Sequence, residues 1–221
     1  MNEAILATDR SETWWWLSRI YLERPQAEFL RDLAVVLADS LETIGESLRR
    51  PVSATHCCLA EADQAELAQR LAPEYTRLLR GMRAGIDPPP PYESLYRGGE
   101  LMGAITQSVR RHYLRAGFDA IAPEAGPQDH LGAELRFLSL LCYRETQAWE
   151  EKDRATALGL QTEQKAFLDA HLLVWLPDFA RQIEEQAREP FYKTATLLTL
   201  RFAELVRAEL DAALDEGIQV A

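Results

Sequence analysis

The sequence predicts an all-α protein, a single-domain multi-helix bundle. Apolar residues recur at three- and four-residue spacing through the long segments, and no segment sustains the period-two alternation of a half-buried strand. Prolines and glycines fall at the ends of these runs, where helices start and stop. The run Pro88-Pro89-Pro90-Pro91 interrupts the pattern, because proline lacks an N–H, clashes with the preceding turn and favours an extended chain. The helical domain is expected over 9–216, with flexible ends at 1–8 and 217–221.

Ser11 is the expected N-cap of a first helix through Trp14-Trp15-Trp16-Leu17 and Ile20-Tyr21 to about Leu22. Adjacent tryptophans cannot share one helix face, so Trp14, Leu17 and Tyr21 form the inner stripe and Trp15 or Trp16 turns toward a neighbouring element. Pro25 opens a second helix, with Leu30, Leu33, Leu37, Leu41, Ile44 and Leu48 in register, a break near Asp39-Ser40 and an end at Pro51. His56-Cys57-Cys58 then reads as a connection, without the two to four intervening residues of a zinc pair. Asp63 caps a helix through Leu67 and Leu71 that restarts or kinks at Pro73 and stops at Gly81.

After the proline loop, a helix is expected from about Glu100 to Ala116, with Gly117 as its stop. Pro123, Gly126 and Pro127 mark a second irregular connection, and Asp129 caps a long helix from Leu131 to about Asp153. Gln161 or Thr162 opens another through His171 and Trp175, Pro177 begins the next, and Pro190 begins the last.

Acidic residues number 35 and basic residues 24, a formal charge of −11 that argues against general nucleic-acid binding and favours cationic partners. Three cysteines, Cys57, Cys58 and Cys142, suit reduced thiols in the cytoplasm. No signal peptide and no membrane-spanning run is expected. A Walker A loop, a dinucleotide-binding glycine turn and an H-E-x-x-H motif are all missing. His130 and Glu134, four apart beside Asp129, can supply two or three metal ligands but have no second set. Asp129 and His130 also form a possible acid–base pair, with no activated nucleophile beside them. The plainer reading makes Asp129 a helix cap and bonds His130 to a neighbouring loop.

Four stretches together carry a resemblance. They are Glu74-Tyr75-x-x-Leu78-Leu79-x-Gly81; Pro90-Pro91-Tyr92-Glu93-Ser94-x-Tyr96; Pro127-x-Asp129-His130-Leu131-x-x-Glu134-Leu135-x-Phe137-Leu138; and Phe167-x-x-x-His171-Leu172-x-x-Trp175-x-Pro177-x-Phe179, with Phe191-Tyr192 beyond. In order and spacing, across roughly residues 10 to 215, the chain resembles the TorD/DmsD/NarJ family of redox-enzyme maturation chaperones. The resemblance implies a TorD-like helical bundle that is cytoplasmic and not an enzyme. Such a protein binds the twin-arginine signal peptide, or the apo form, of a molybdenum-containing oxidoreductase subunit until folding and cofactor insertion are complete. It implies no cofactor beyond weak GTP binding, and a monomer or a domain-swapped dimer.

Carried over residue by residue, the implied peptide-binding surface comprises Tyr75, Leu78, Leu79, Pro91, Tyr92, Glu93, Ser94, Tyr96, Pro127, Asp129 and His130. Glu134 joins it as a third carboxylate, with Glu93 and Asp129, able to pair with guanidinium. Two positions depart from the pattern: Leu79 replaces a common phenylalanine, and Gly126 replaces a common glutamate for which Glu124 is a nearby substitute. The same residues also admit an internal reading, in which Tyr92 and Tyr96 plug the loop onto the helix from Leu131 and His130 bonds a backbone carbonyl. The alternatives are a NarJ-like assembly chaperone for a membrane-bound, non-exported molybdoenzyme and, from another class, a nucleotide- or metal-dependent enzyme.

Overall fold

The structure, a computed structural model, describes residues 3–60, 63–80 and 88–219, with side chains described as far as 215. It is all-α; no strand forms among the described residues, and Tyr92 and His130 make one isolated antiparallel bridge. The expected stop at Gly81 lies outside the described residues, as does part of the expected loose end at 217–221. Among the described residues no helix is long and apolar enough to cross a membrane.

The residues group into two compact units. The first is built from α1 (Glu3–Leu22), the stretch from Tyr92 to Trp175 and the chain from Ala203 onward. Its centre is α1 against α7 (Leu131–Glu150). Trp14, Leu17 and Tyr21 are buried as the helical spacing requires, Trp15 is exposed and Trp16 half-buried. The two helices cross closely at Gly132, where a Cβ would stand 2.5 Å from Leu22 Cγ and 3.1 Å from the Ser18 carbonyl. Ser11, expected as a cap, lies inside α1 and donates to the Ser139 carbonyl at 3.0 Å. The helix starts at Glu3 because Ala4, Leu6 and Ala7 are good helix formers and Ala7 is buried.

Further along, Arg10 donates to both oxygens of Glu145 at 2.8 and 2.9 Å, a buried pair completed by Trp149, Gln161 and Gln164 donating to the same carboxyl. Cys142 belongs to this network, its thiol pushed up to about 12 by burial, against the pull of Arg10, and it donates to Gln164 Oε1 at 3.1 Å. Replacing the expected start at Gln161, α8 (Arg154–Phe167) begins directly after Asp153, whose carboxyl accepts the Thr156 N–H at 3.0 Å. That cap puts Gln161 and Gln164 inside the helix, facing Glu145. A π turn, Leu168–Leu172, follows without a break and leads into α9 (Leu173–Gln186). Pro177 therefore lies inside α9 and does not open it.

Two smaller helices complete this unit: α5 (Glu93–Tyr96), a single turn, and α6 (Ala104–Arg115). The latter starts later than Glu100, since Gly103 is the extended N-cap residue and Met102 adopts φ 62°. Gly117 supplies the stop, with φ 82°.

The second unit runs from Glu23 to Pro91 and from Leu176 to Phe202. Here α2 (Ala27–Thr43) buries Leu30, Leu33 and Leu37, and ends where Ile44 N–H returns to the Ser40 carbonyl. The chain then starts α3 (Glu46–Ala60), so Pro51, expected to end a helix, sits inside one. It forfeits one backbone bond near the helix start, while Leu48, Val52 and Leu59 bury their side chains at about 1.5–3 kcal/mol each. His56, Cys57 and Cys58 accordingly lie on α3 and not in a connection. Then α4 (Gln64–Leu79) is capped by Asp63, which accepts from Ala65 and Glu66. The Glu74 carboxyl, despite burial that favours the proton, is held below its usual range by hydrogen bonds from Arg77 and the Arg188 N–H. Last comes α10 (Pro190–Gln219), with Tyr192 donating to the Leu71 carbonyl at 3.3 Å.

Candidate functional site

In the first unit, the aromatic turn after the prolines closes on the start of α7. Tyr92 is extended, with φ −114° and ψ 126°, and bridges to His130. Its hydroxyl donates to the Ala125 carbonyl at 2.9 Å, and its ring meets the His130 ring edge-on at 5.0 Å. The next backbone N–H, of Glu93, donates to the Asp129 carbonyl at 2.9 Å.

Asp129 was expected to cap α7; His130 does so instead, its Nδ1 accepting the Gly132 N–H at 3.1 Å. That releases the Asp129 side chain to bind the turn. Its Oδ2 accepts the Ser94 N–H at 3.0 Å and its Oδ1 accepts the Thr106 hydroxyl at 2.8 Å. One carboxyl thus ties α5 and α6 to the start of α7, and satisfies an N–H at the start of α5 that a one-turn helix leaves unpaired.

Glu93 is fully buried and reaches the other way. His171, carried on the π turn, donates through Nδ1 to its Oε2 at 2.9 Å, and Arg97 pairs with its Oε1 from one turn along. Behind His171 lie the His112 ring at 5.0 Å and the Phe167 ring at 5.1 Å; His112 Nδ1 meets Glu163 Oε1 at 2.7 Å. Glu134, one turn into α7, accepts from Trp175 Nε1 at 3.2 Å, and the Trp175 ring lies 5.3 Å from Tyr96. Burial, then the neighbouring Glu93 and Asp129, raise the Glu134 carboxyl well above its usual range, which favours its neutral form. Tyr113 is raised for the same reasons, burial first, and its hydroxyl donates to the Gln128 carbonyl at 2.9 Å.

The structure therefore gathers Tyr92, Glu93, Ser94, Tyr96, Asp129, His130 and Glu134 into one place, with Tyr96 and nearby Pro127 only half-buried and the rest buried. The three carboxyls proposed for pairing with a peptide's guanidinium groups all have 0% exposure and point inward. Glu124 is exposed and pairs with Arg136 at 2.8 Å. Tyr75, Leu78, Leu79 and Pro91 belong to the second unit, where all are buried. Thr106, Arg97, His112, His171 and Trp175 complete the cluster and are not among the residues expected at the site. His171 and Trp175 stand in the fourth of the motif stretches, whereas Thr106 carries no signal, since a threonine in a helix is ordinary. Among the described residues no group of three or more histidine, cysteine or acidic side chains has the geometry to hold a metal ion. The arrangement is a buried hydrogen-bonded lock that fixes the turn.

Comparison with known proteins gives a consistent result. Residues 28–181 match the family model for the nitrate reductase delta subunit. The chaperone protein TorD of Vibrio cholerae serotype O1 is 28% identical over 221 residues, covering 96% of each chain. The same-named protein of Vibrio vulnificus is 28% identical over 208 residues, covering 89% of this chain and 92% of its own. That of Aeromonas salmonicida is 28% identical over 197 residues, covering 86% of each. With its motifs and its all-α fold, the chain belongs to the nitrate reductase delta subunit family, the TorD/DmsD/NarJ family that those motifs resemble.

Proposed function

We propose that this protein is a cytoplasmic maturation chaperone for a molybdenum-containing oxidoreductase. It binds the twin-arginine signal peptide, or the apo catalytic subunit, while folding and cofactor insertion proceed. It is not an enzyme and works without a cofactor of its own. The observation that carries this reading is the similarity to TorD chaperones over 96% of both chains.

The physical chemistry is compatible. A net charge of −11 attracts a leader with two fixed cations and makes encounter salt-sensitive. Buried Glu93, Ser94, Asp129, His130 and Glu134 hold the turn in shape, and half-exposed Tyr96 and Pro127 are left to touch a peptide. On this reading Tyr92 acts from beneath, as a support, while Tyr75, Leu78, Leu79 and Pro91 are core residues of the second unit.

Titration with a twin-arginine signal peptide, and with its Lys-Lys version, tests the proposal. Saturable binding of the first, weakened in the second, is expected; no saturable binding of the first refutes signal-peptide recognition. The matched family model, described as the delta subunit of nitrate reductase, favours a second reading: assembly of a membrane-bound, non-exported molybdoenzyme through its mature subunit. Binding to a catalytic subunit stripped of its leader, with none to the leader alone, selects that reading.

A further inference from the structure

The three consecutive tryptophans remain unexplained by the Glu93–Asp129 lock. Only Trp14 turns inward; Trp15 is 43% exposed and Trp16 half-buried. With Glu12 they line one side of a groove of about 470 Å3, and Ser139, Leu140 and Tyr143 of α7 line the other. Tyr143 is 55% exposed. The groove lies about one and a half to two and a half turns along α7 from Glu134, roughly 8–14 Å at about 1.5 Å per residue.

Its polarity is specific. Two cations stand close, and both are engaged on ring faces: the Arg136 guanidinium is 4.6 Å from the Trp15 centroid and also pairs with Glu124, while the Arg19 guanidinium is 5.1 Å from that of Trp16. Glu12 is exposed and has no hydrogen-bond or ion-pair partner among the described residues, so the groove carries an uncompensated negative charge between aromatic walls. Large rigid aromatics cost little entropy when they bind and are the side chains that dominate interface energetics. A groove of this volume suits a few side chains and not a whole domain.

We infer that the α1–α7 groove is a peptide-docking site distinct from the lock. It takes a segment that presents a lysine or arginine to Glu12 and an adjacent large apolar side chain to Trp15 and Tyr143. The inference does not depend on which part of a client is recognised, nor on the twin-arginine reading.

The test uses the full chain and a capped probe peptide, Ala-Leu-Phe-Arg-Leu-Ala, with an Arg-to-Glu version as control. Binding is read from tryptophan fluorescence and checked by calorimetry. Saturable binding is expected for the arginine peptide, weakened about 5-fold by Glu12→Gln and about 10-fold or more by Trp15→Ala or Tyr143→Ala. These side chains are solvent-facing, and circular dichroism checks that each variant is folded. Leu114→Ala, an exposed change on α6 that lines neither the groove nor the lock, is expected to bind the probe as the parent does. Equal binding of both peptides, unchanged binding in the Trp15 and Tyr143 variants, or no saturable binding overturns the proposal. So does a dimer in sedimentation that Trp15→Ala dissociates, because the groove would then be occupied by a second copy. Failure of the signal-peptide titration with a positive probe result refutes the proposed client and leaves the groove standing.

Discussion

Replacing Asp129 with alanine removes two buried acceptors at once. The Thr106 hydroxyl can rotate toward another partner, but the Ser94 N–H is fixed by α5 and loses its only acceptor in the lock. An orphaned buried donor costs about 1–3 kcal/mol, and loss of bonds to a charged group brings the expected destabilisation to about 2–4 kcal/mol. The Asp129→Asn substitution behaves differently. The introduced amide oxygen can accept from Ser94 while the amide nitrogen donates to the Thr106 oxygen, and the change also relieves the charge that Asp129 places beside Glu134. Asp129→Asn should therefore cost less than about 1 kcal/mol. Urea unfolding at neutral pH, followed by far-ultraviolet circular dichroism, separates the two variants. If Asp129→Ala unfolds at the parent midpoint yet loses signal-peptide binding, Asp129 is a contact residue and the lock is wrong. If the asparagine variant falls as far as the alanine one, charge and not hydrogen-bond geometry holds the turn.

Gly132→Ala should destabilise despite the gain of about 1 kcal/mol in helix propensity, because the new Cβ meets the Leu22 branch point and the Ser18 backbone, an overpacking worth about 1–3 kcal/mol; a raised melting temperature would contradict that close crossing. Glu134 has a raised folded value, so its share of stability is complete below the unfolded value of 4.5 and is lost as pH rises toward the folded value. Glu134→Gln should remove that loss, so its stability relative to the parent increases as pH rises above about 4.5 in paired urea titrations. Arg10→Met leaves the Glu145 charge without its counter-ion and should cost about 3 kcal/mol, with Glu145→Gln added on top restoring part of it because an acceptor for Gln161 and Gln164 remains; a double variant weaker than the single one argues against a desolvation-dominated pair.

The helices are legible in the sequence because apolar periodicity survives local detail: Trp14, Leu17 and Tyr21, or Leu30, Leu33 and Leu37, are buried as their spacing requires. Boundaries are less so, and each difference has a physical reason. Pro51 and Pro177 look like helix boundaries, but Pro51 sits near the start of α3 and Pro177 gives up a backbone bond inside the run from α8 through α9, and neighbouring buried side chains, Leu48 and Val52 for the first and Leu172 and Leu176 for the second, outweigh the loss. Asp153 with Thr156 is a capping pair visible in the sequence, masked because the apolar stripe before Gln161 is weak. The π turn at Leu168–Leu172 has no sequence marker, and it is what brings His171 to Glu93. The pairing of the aromatic turn with the start of α7 is readable from the motifs; the direction of its carboxyls is not, because acidic residues beside a proline loop suggest an open surface.

That inward direction follows from what surrounds each acid. An unpaired carboxyl inside a protein is costly, yet each of the three here has donors supplied by a different element: Ser94 and Thr106 for Asp129, His171 and Arg97 for Glu93, Trp175 for Glu134. Bringing these donors to the three acids requires α5, α6, α7, the π turn and the start of α9 to be in register together. A turn held by so many buried bonds is costly to reshape, which fits the proposed function if the client is recognised by fixed geometry. It also means that substitutions in the lock disturb the turn before any ligand arrives. Loss of binding in such a variant counts as evidence of contact only when its stability is unchanged. The half-exposed Tyr96 is the residue on which the two effects separate: its ring packs on Trp175 from outside the lock, so Tyr96→Ala should lower peptide affinity about 10-fold while shifting the unfolding midpoint little.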